Sequence, residues 1–150
     1  MANEFPCAGI TVTVTKFESA PRIESFQTTK YSDADVLLIG KATGKVSQAG
    51  GKNTPIRVDQ FARVDLMFVV ESATANGHHF NPVGISFFAS DGDLGMDDFP
   101  TRTVTADPFG RLVMVVHDAN IHGATYKFNL VIQEVETGLL GVIDPQIHNA

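Results

Sequence analysis

A chain of 150 residues, 43% hydrophobic and 19% charged, has the balance of one globular domain and too little charge for a disordered polymer. A net charge of −6, with eleven scattered Lys and Arg, opposes nucleic acid and anionic membrane surfaces. No apolar run approaches the roughly 18 residues of a membrane span, no basic segment opens a secretory signal, and the single Cys7 excludes an internal disulfide. A soluble, cytoplasmic protein is expected.

The first element is "ITVTVTKF", where Ile10, Val12 and Val14 alternate with Thr11, Thr13 and Thr15. Period-two alternation of β-branched residues is the mark of a half-buried strand. A weaker strand is expected in "RIESFQTT", with Ile23 and Phe26 inward, and another in "DVLLIGKA". The Gly- and Lys-rich "GKATGKVSQAGGKN" reads as a solvated loop. It misses the phosphate-binding loop motif, because three residues rather than four separate Gly40 from Gly44-Lys45, and Val46 follows.

"PIRVDQFARVDLMFVVES" is the one helix candidate, but its valines make residues 63–71 a strand. "PVGISFFAS" is the next strand, entered through Asn81-Pro82; it lacks the second glycine of a nucleophile elbow. "TRTVTA" and "RLVMVVHD" pair across "DPFG", a tight reversal in which proline presets φ and glycine takes the left-handed position. "ATYKFNLVIQEV" turns Tyr126, Phe128, Leu130 and Ile132 to one face, and "LLGVIDPQI" closes the chain. The expectation is an all-β, single-domain antiparallel β-sandwich, immunoglobulin-like or similar, of eight or nine strands.

Two loops carry the candidate sites. "SDGDLGMDDF" offers Asp91, Asp93, Asp97 and Asp98 as oxygen ligands for calcium, with Gly92 and Gly95 for sharp bends. It departs from the helix-loop-helix calcium motif, since Gly95 replaces the third ligand and Arg102 the bidentate Glu. "ANGHHFN" offers His78, His79 and Asn81 as ligand-binding residues. The two loops flank one strand and so lie at its opposite ends. His117, Asp118 and His122 of "HDANIH" converge only if Asn120 and Gly123 make a tight turn.

The stretch "VVHDANIHGATYKFNLVIQEVETGLLGVIDPQIHN" resembles a small bacterial family called DP-EP. It does so through the Asp118-x-Asn120 turn, the Tyr126-x-Phe128 strand and the closing Ile143-Asp144-Pro145-x-Ile147-x-Asn149. Gln146 follows Pro145, so the family's Glu-Pro half is absent. The resemblance implies a β-sandwich and transfers no catalytic residue. A fainter similarity, in the closing Asp-Pro-x-Ile, is to inclusion-body proteins of the PixA type, which accumulate rather than catalyse.

The expected function is therefore non-enzymatic: self-association or protein binding through end loops or a sheet edge, with no cofactor unless the aspartate loop holds calcium. Carbohydrate is a weaker partner, because the chain has no Trp and only two Tyr for stacking. The alternatives are a small hydrolase built from dispersed carboxylates and histidines, and a calcium-dependent binding module.

Overall fold

The computed structural model describes residues 6–19, 31–40, 44–144 and 146–149. Among these the chain is all-β, with no helix. In order the strands are β1 (Cys7–Lys16), β2 (Asp33–Gly40), β3 (Val46–Ser47), β4 (Ile56–Val58), β5 (Val64–Ser72), β6 (Phe80–Ala89), β7 (Thr101–Ala106), β8 (Leu112–Asp118), β9 (Thr125–Glu134), β10 (Leu140–Ile143) and β11 (Gln146–Asn149). The weak strand expected in residues 22–29 lies outside the described residues.

Alternation does what it promises. Ile10, Val12 and Val14 of β1 are fully buried, as are Tyr126, Phe128, Leu130 and Ile132 of β9. The strand expected over residues 63–71 is β5, which sends Val64, Leu66 and Phe68 inward. The described strands number eleven rather than eight or nine. The additions include β3 and β4, of two and three residues. Each buries a valine or isoleucine (Val46, Ile56, Val58) but is too short for a period to show.

One sheet has the order β2-β1-β5-β8-β7. In the other, β6 pairs along one side of β9, while β10 and β11 share its opposite side, and β11 leads on to β4 and β3. Two pairings are parallel, β1 with β5 and β11 with β4, so the architecture is not wholly antiparallel as expected. Alternation reports which face of a strand is buried, not which strand lies beside it or in which direction. Both sheets feed one core: Phe68 of β5 meets Phe128 of β9 edge-on, with ring centroids 5.3 Å apart.

In β6 the register shifts between Pro82 and Gly84. The extra residue flips the parity of the strand, so that Phe80 and Phe87, an odd number of positions apart, both point into the core.

The sheet edges are handled one by one. Along β2 the outward N–H of Val36 donates to Asn53 Oδ1 (2.7 Å) and that of Leu38 to Gln48 Oε1 (2.9 Å). The Val36 carbonyl accepts from Asn53 N and Gln48 Nε2. The loop from β3 to β4 thus fills the place of a neighbouring strand with two side chains. On β10 the Val142 carbonyl accepts from Ser32 N at 2.8 Å. β3 is only two residues long. β6 carries Pro82, which has no N–H to offer, then the bulge, and its Ala89 N–H is taken by the Asp93 carbonyl.

Gln48→Ala strips Leu38 N–H and the Thr54 carbonyl of a partner each. The expected cost is about 1–3 kcal/mol, read as a lower urea midpoint with an unchanged m-value.

Candidate functional site

The aspartate loop divides its four carboxylates between two duties. Asp91 Oδ1 accepts from Asp93 N (2.9 Å) and Asp93 Oδ1 from Gly95 N (2.8 Å), each a side chain bracing its own loop. Asp97 is exposed, with His122 Nε2 3.6 Å away. Asp98 is fully buried. Its Oδ1 accepts from the N–H of Ile121 (2.7 Å) and of His122 (2.9 Å), and its Oδ2 from Tyr126 Oη at 2.7 Å. The Tyr126 hydroxyl also lies 3.1 Å from Asp93 Oδ2. Burial, and then the bond to Asp98, push the Tyr126 phenol far above its ordinary value.

The loop also drives an aromatic ring inward. Phe99 is fully buried, stacked on Phe87 with centroids 3.9 Å apart and edge-on to Tyr126 at 5.0 Å. Gly95 closes over this group at φ 69°, where a Cβ would stand 2.9 Å from the Phe99 ring. Asp98, Phe99 and Tyr126 therefore lock the loop to β9 and to the turn after β8. Asp93 and Asp98 are brought together at one hydroxyl; Asp91 and Asp97 are not. Among the described residues no group of three or more His, Cys, Asp or Glu side chains is arranged to hold a metal ion.

At the other end of β6 the histidines meet carboxylates from the β9–β10 turn. His79 Nδ1 is 2.6 Å from Glu136 Oε1, and the His79 backbone N–H donates to both Glu136 oxygens (2.9 and 3.0 Å). The bond from His79 holds the Glu136 carboxyl below its ordinary value. His78 Nδ1 lies 3.0 Å from Glu134 Oε2, in ion-pair range though off the hydrogen-bonding direction. Glu134 Oε1 accepts from Thr137 Oγ1. Asn81 sits opposite Gln133 in the β6–β9 ladder. His79 and Asn81, with Glu71 and Arg111, line a cavity of about 360 Å³; His78 is not among its walls. The two sites stand at opposite ends of β6, as expected.

His117, Asp118 and His122 do not converge. His117 Nδ1 is 2.8 Å from Asp65 Oδ1, Asp118 is fully buried, and His122 faces Asp97. Asn120 does turn the chain at φ 48°, its amide donating to the Asp59 carbonyl at 2.6 Å. A cavity of about 580 Å³ opens elsewhere, beside Asp33, Asp35 and Asp144. Asp35 is held below its ordinary value, first by the Asn53 amide and then by Lys52, so it is already engaged. Burial, and then Asp65, push the Cys7 thiol up, away from the reactive thiolate.

The remaining feature is β7. Its register with β8 runs without a shift from Thr101↔His117 to Ala106↔Leu112, and "TRTVTA" has no proline. The turn sets the phase: Asp107 N donates to the Arg111 carbonyl at 2.8 Å. The Asp107 carboxylate accepts from Arg111 N and Phe109 N, which hold it below its ordinary value. Alternation from that pair aims the N–H and C=O of Arg102, Val104 and Ala106 away from β8. None of the three finds a backbone partner among the described residues.

The one charge on the strand does not guard it. Arg102 folds back, its Nε donating to the Phe99 carbonyl (3.2 Å) and its Nη2 to that of Leu94 (3.3 Å). Its Cζ lies 4.8 Å over the Phe87 ring, and burial lowers its pKa. Beside this edge, Phe109 at the hairpin tip is 93% exposed, and Leu94 and Met96 of the aspartate loop are 56% and 66% exposed.

No family model matches the chain, and no curated protein sequence matches it. Among solved structures it is similar to the PixA inclusion body protein of Burkholderia cenocepacia J2315. The TM-score is 0.59 at 11% sequence identity, over 100% of this chain and 99% of the other. At that identity the likeness is one of fold.

Tyr126→Phe leaves a buried carboxylate short of a charge-assisted bond, with an expected cost of about 1.5–3 kcal/mol by chemical denaturation. At the histidine end, a carboxyl held below its ordinary 4.5 stabilises the fold above that pH, and the contribution is lost as pH falls through the lower folded value. Glu136→Gln should therefore lower the melting temperature at neutral pH. The gap to wild type should close in scans taken down to about pH 3.

Proposed function

We propose that this chain is a non-enzymatic, single-domain β-sandwich that associates with copies of itself through the free edge of β7. One observation carries the reading: β7 is a regular, unbulged, proline-free edge whose outward amides lack partners among the described residues. The edges of β2, β6 and β10 each carry a side-chain cap, a bulge or a covering contact. Exposed flat edges pair with further strands unless something prevents it.

Two further facts support it. The similar fold belongs to a protein described as an inclusion body protein. The polar clusters at the loop ends are already spent on the fold: Asp91, Asp93 and Asp98 accept bonds within their own loop or from Tyr126 and the turn after β8. His79 and Glu136 hold each other, which leaves a hydrolase short of a free base there. On this reading the aspartate loop is a brace for the fold.

The test is Val104→Pro, which removes an outward N–H and leaves the ladder to β8 intact. Sedimentation over a concentration series should show association in the wild type and at least about tenfold weaker association in V104P, the loss of roughly 1.4 kcal/mol. The melting temperature of dilute protein should stay near wild type. Equal association of the two proteins would remove β7 from the interface.

A further inference from the structure

We infer that the occupant of the β7 edge is a second β7 laid antiparallel across a two-fold axis at Val104, with Phe109 of each copy seated on Leu94 and Met96 of the other. The inference rests on the proposed edge pairing and specifies its geometry.

The outward residues Arg102, Val104 and Ala106 are spaced evenly about Val104. Antiparallel pairing centred there sets Val104 against Val104 and Arg102 against Ala106 of the second copy. Every outward N–H then meets an outward C=O, as a closed two-fold contact requires. Parallel pairing in register would instead set Arg102 beside Arg102 of the second copy.

The apolar groups follow the same symmetry. Leu94 and Met96 border the first end of β7, since the Leu94 carbonyl and Met96 Sδ lie 3.3 and 3.9 Å from the Arg102 guanidinium. Phe109 caps the opposite end, on the turn that follows Ala106. Continuing the antiparallel register past Ala106 carries Phe109 to the level of residue 99 of the second copy, next to its Leu94 and Met96. An edge of six residues is short against the about 800 Å² per partner of a standard interface, so these exposed side chains supply the rest of the contact.

The experiment is made in the full chain with Cys7→Ser, so that no native thiol competes. Val104→Cys should oxidise to a disulfide dimer, because the two Cα atoms lie about 5.5 Å apart in a hydrogen-bonded antiparallel pair. Thr105→Cys should not, because its equivalent lies two positions out of register, beyond the roughly 7 Å limit. Phe109→Ser and Leu94→Ser should each weaken association about tenfold, and the double variant hardly more, since both break one contact.

Association that is abolished by V104P but gives no V104C disulfide overturns the two-fold register and leaves the edge reading standing. Association indifferent to F109S and L94S overturns the apolar docking. A wild type that stays monomeric at the highest attainable concentration overturns both the register and the edge reading.

Discussion

A β-sheet that does not close on itself ends in two rows of backbone N–H and C=O groups, and water or another strand must satisfy them. In this molecule most such rows are met from within. Gln48 and Asn53 stand in for a strand beside β2, Ser32 covers β10, and a proline, a bulge and the Asp93 carbonyl blunt β6. β7 stands apart. It is a straight strand with its charge folded inward onto Phe87, and it lies between an exposed phenylalanine and an exposed leucine–methionine pair.

The aspartate loop is what holds β7 in that state. Asp98 is buried because Tyr126 and two backbone N–H groups are aimed at it, and Phe99 follows it into the core. With that end fixed, the next residues leave the loop as a strand, and Arg102 can reach back to the Leu94 and Phe99 carbonyls. A polar loop, a buried carboxylate and an open edge are thus parts of one construction. Loosening the carboxylate should be felt at the edge.

What was legible in the sequence was whatever repeats locally. The alternations in β1 and β9, and the Asp-Pro-Phe-Gly hairpin, each follow from residues a few positions apart. The caps on β2 were not legible, because Gln48 and Asn53 act on residues 10 to 17 positions away from inside a loop that looks merely solvated. Nor could four aspartates of one type be told apart. Asp98 differs from Asp91 by virtue of Tyr126, 28 positions on. One clue was available: Tyr126 falls on the inward face of β9, and a buried tyrosine hydroxyl calls for a partner. Parallel neighbours such as β1 and β5 left no local trace at all.

The most direct measurement is amide hydrogen exchange of the intact chain at several concentrations, read residue by residue. Self-association through β7 requires the N–H groups of Arg102, Val104 and Ala106 to exchange more slowly as concentration rises. Those of Val36 and Leu38, already bonded to Asn53 and Gln48, should be protected throughout. Rates at Arg102, Val104 and Ala106 that do not change with concentration would contradict it.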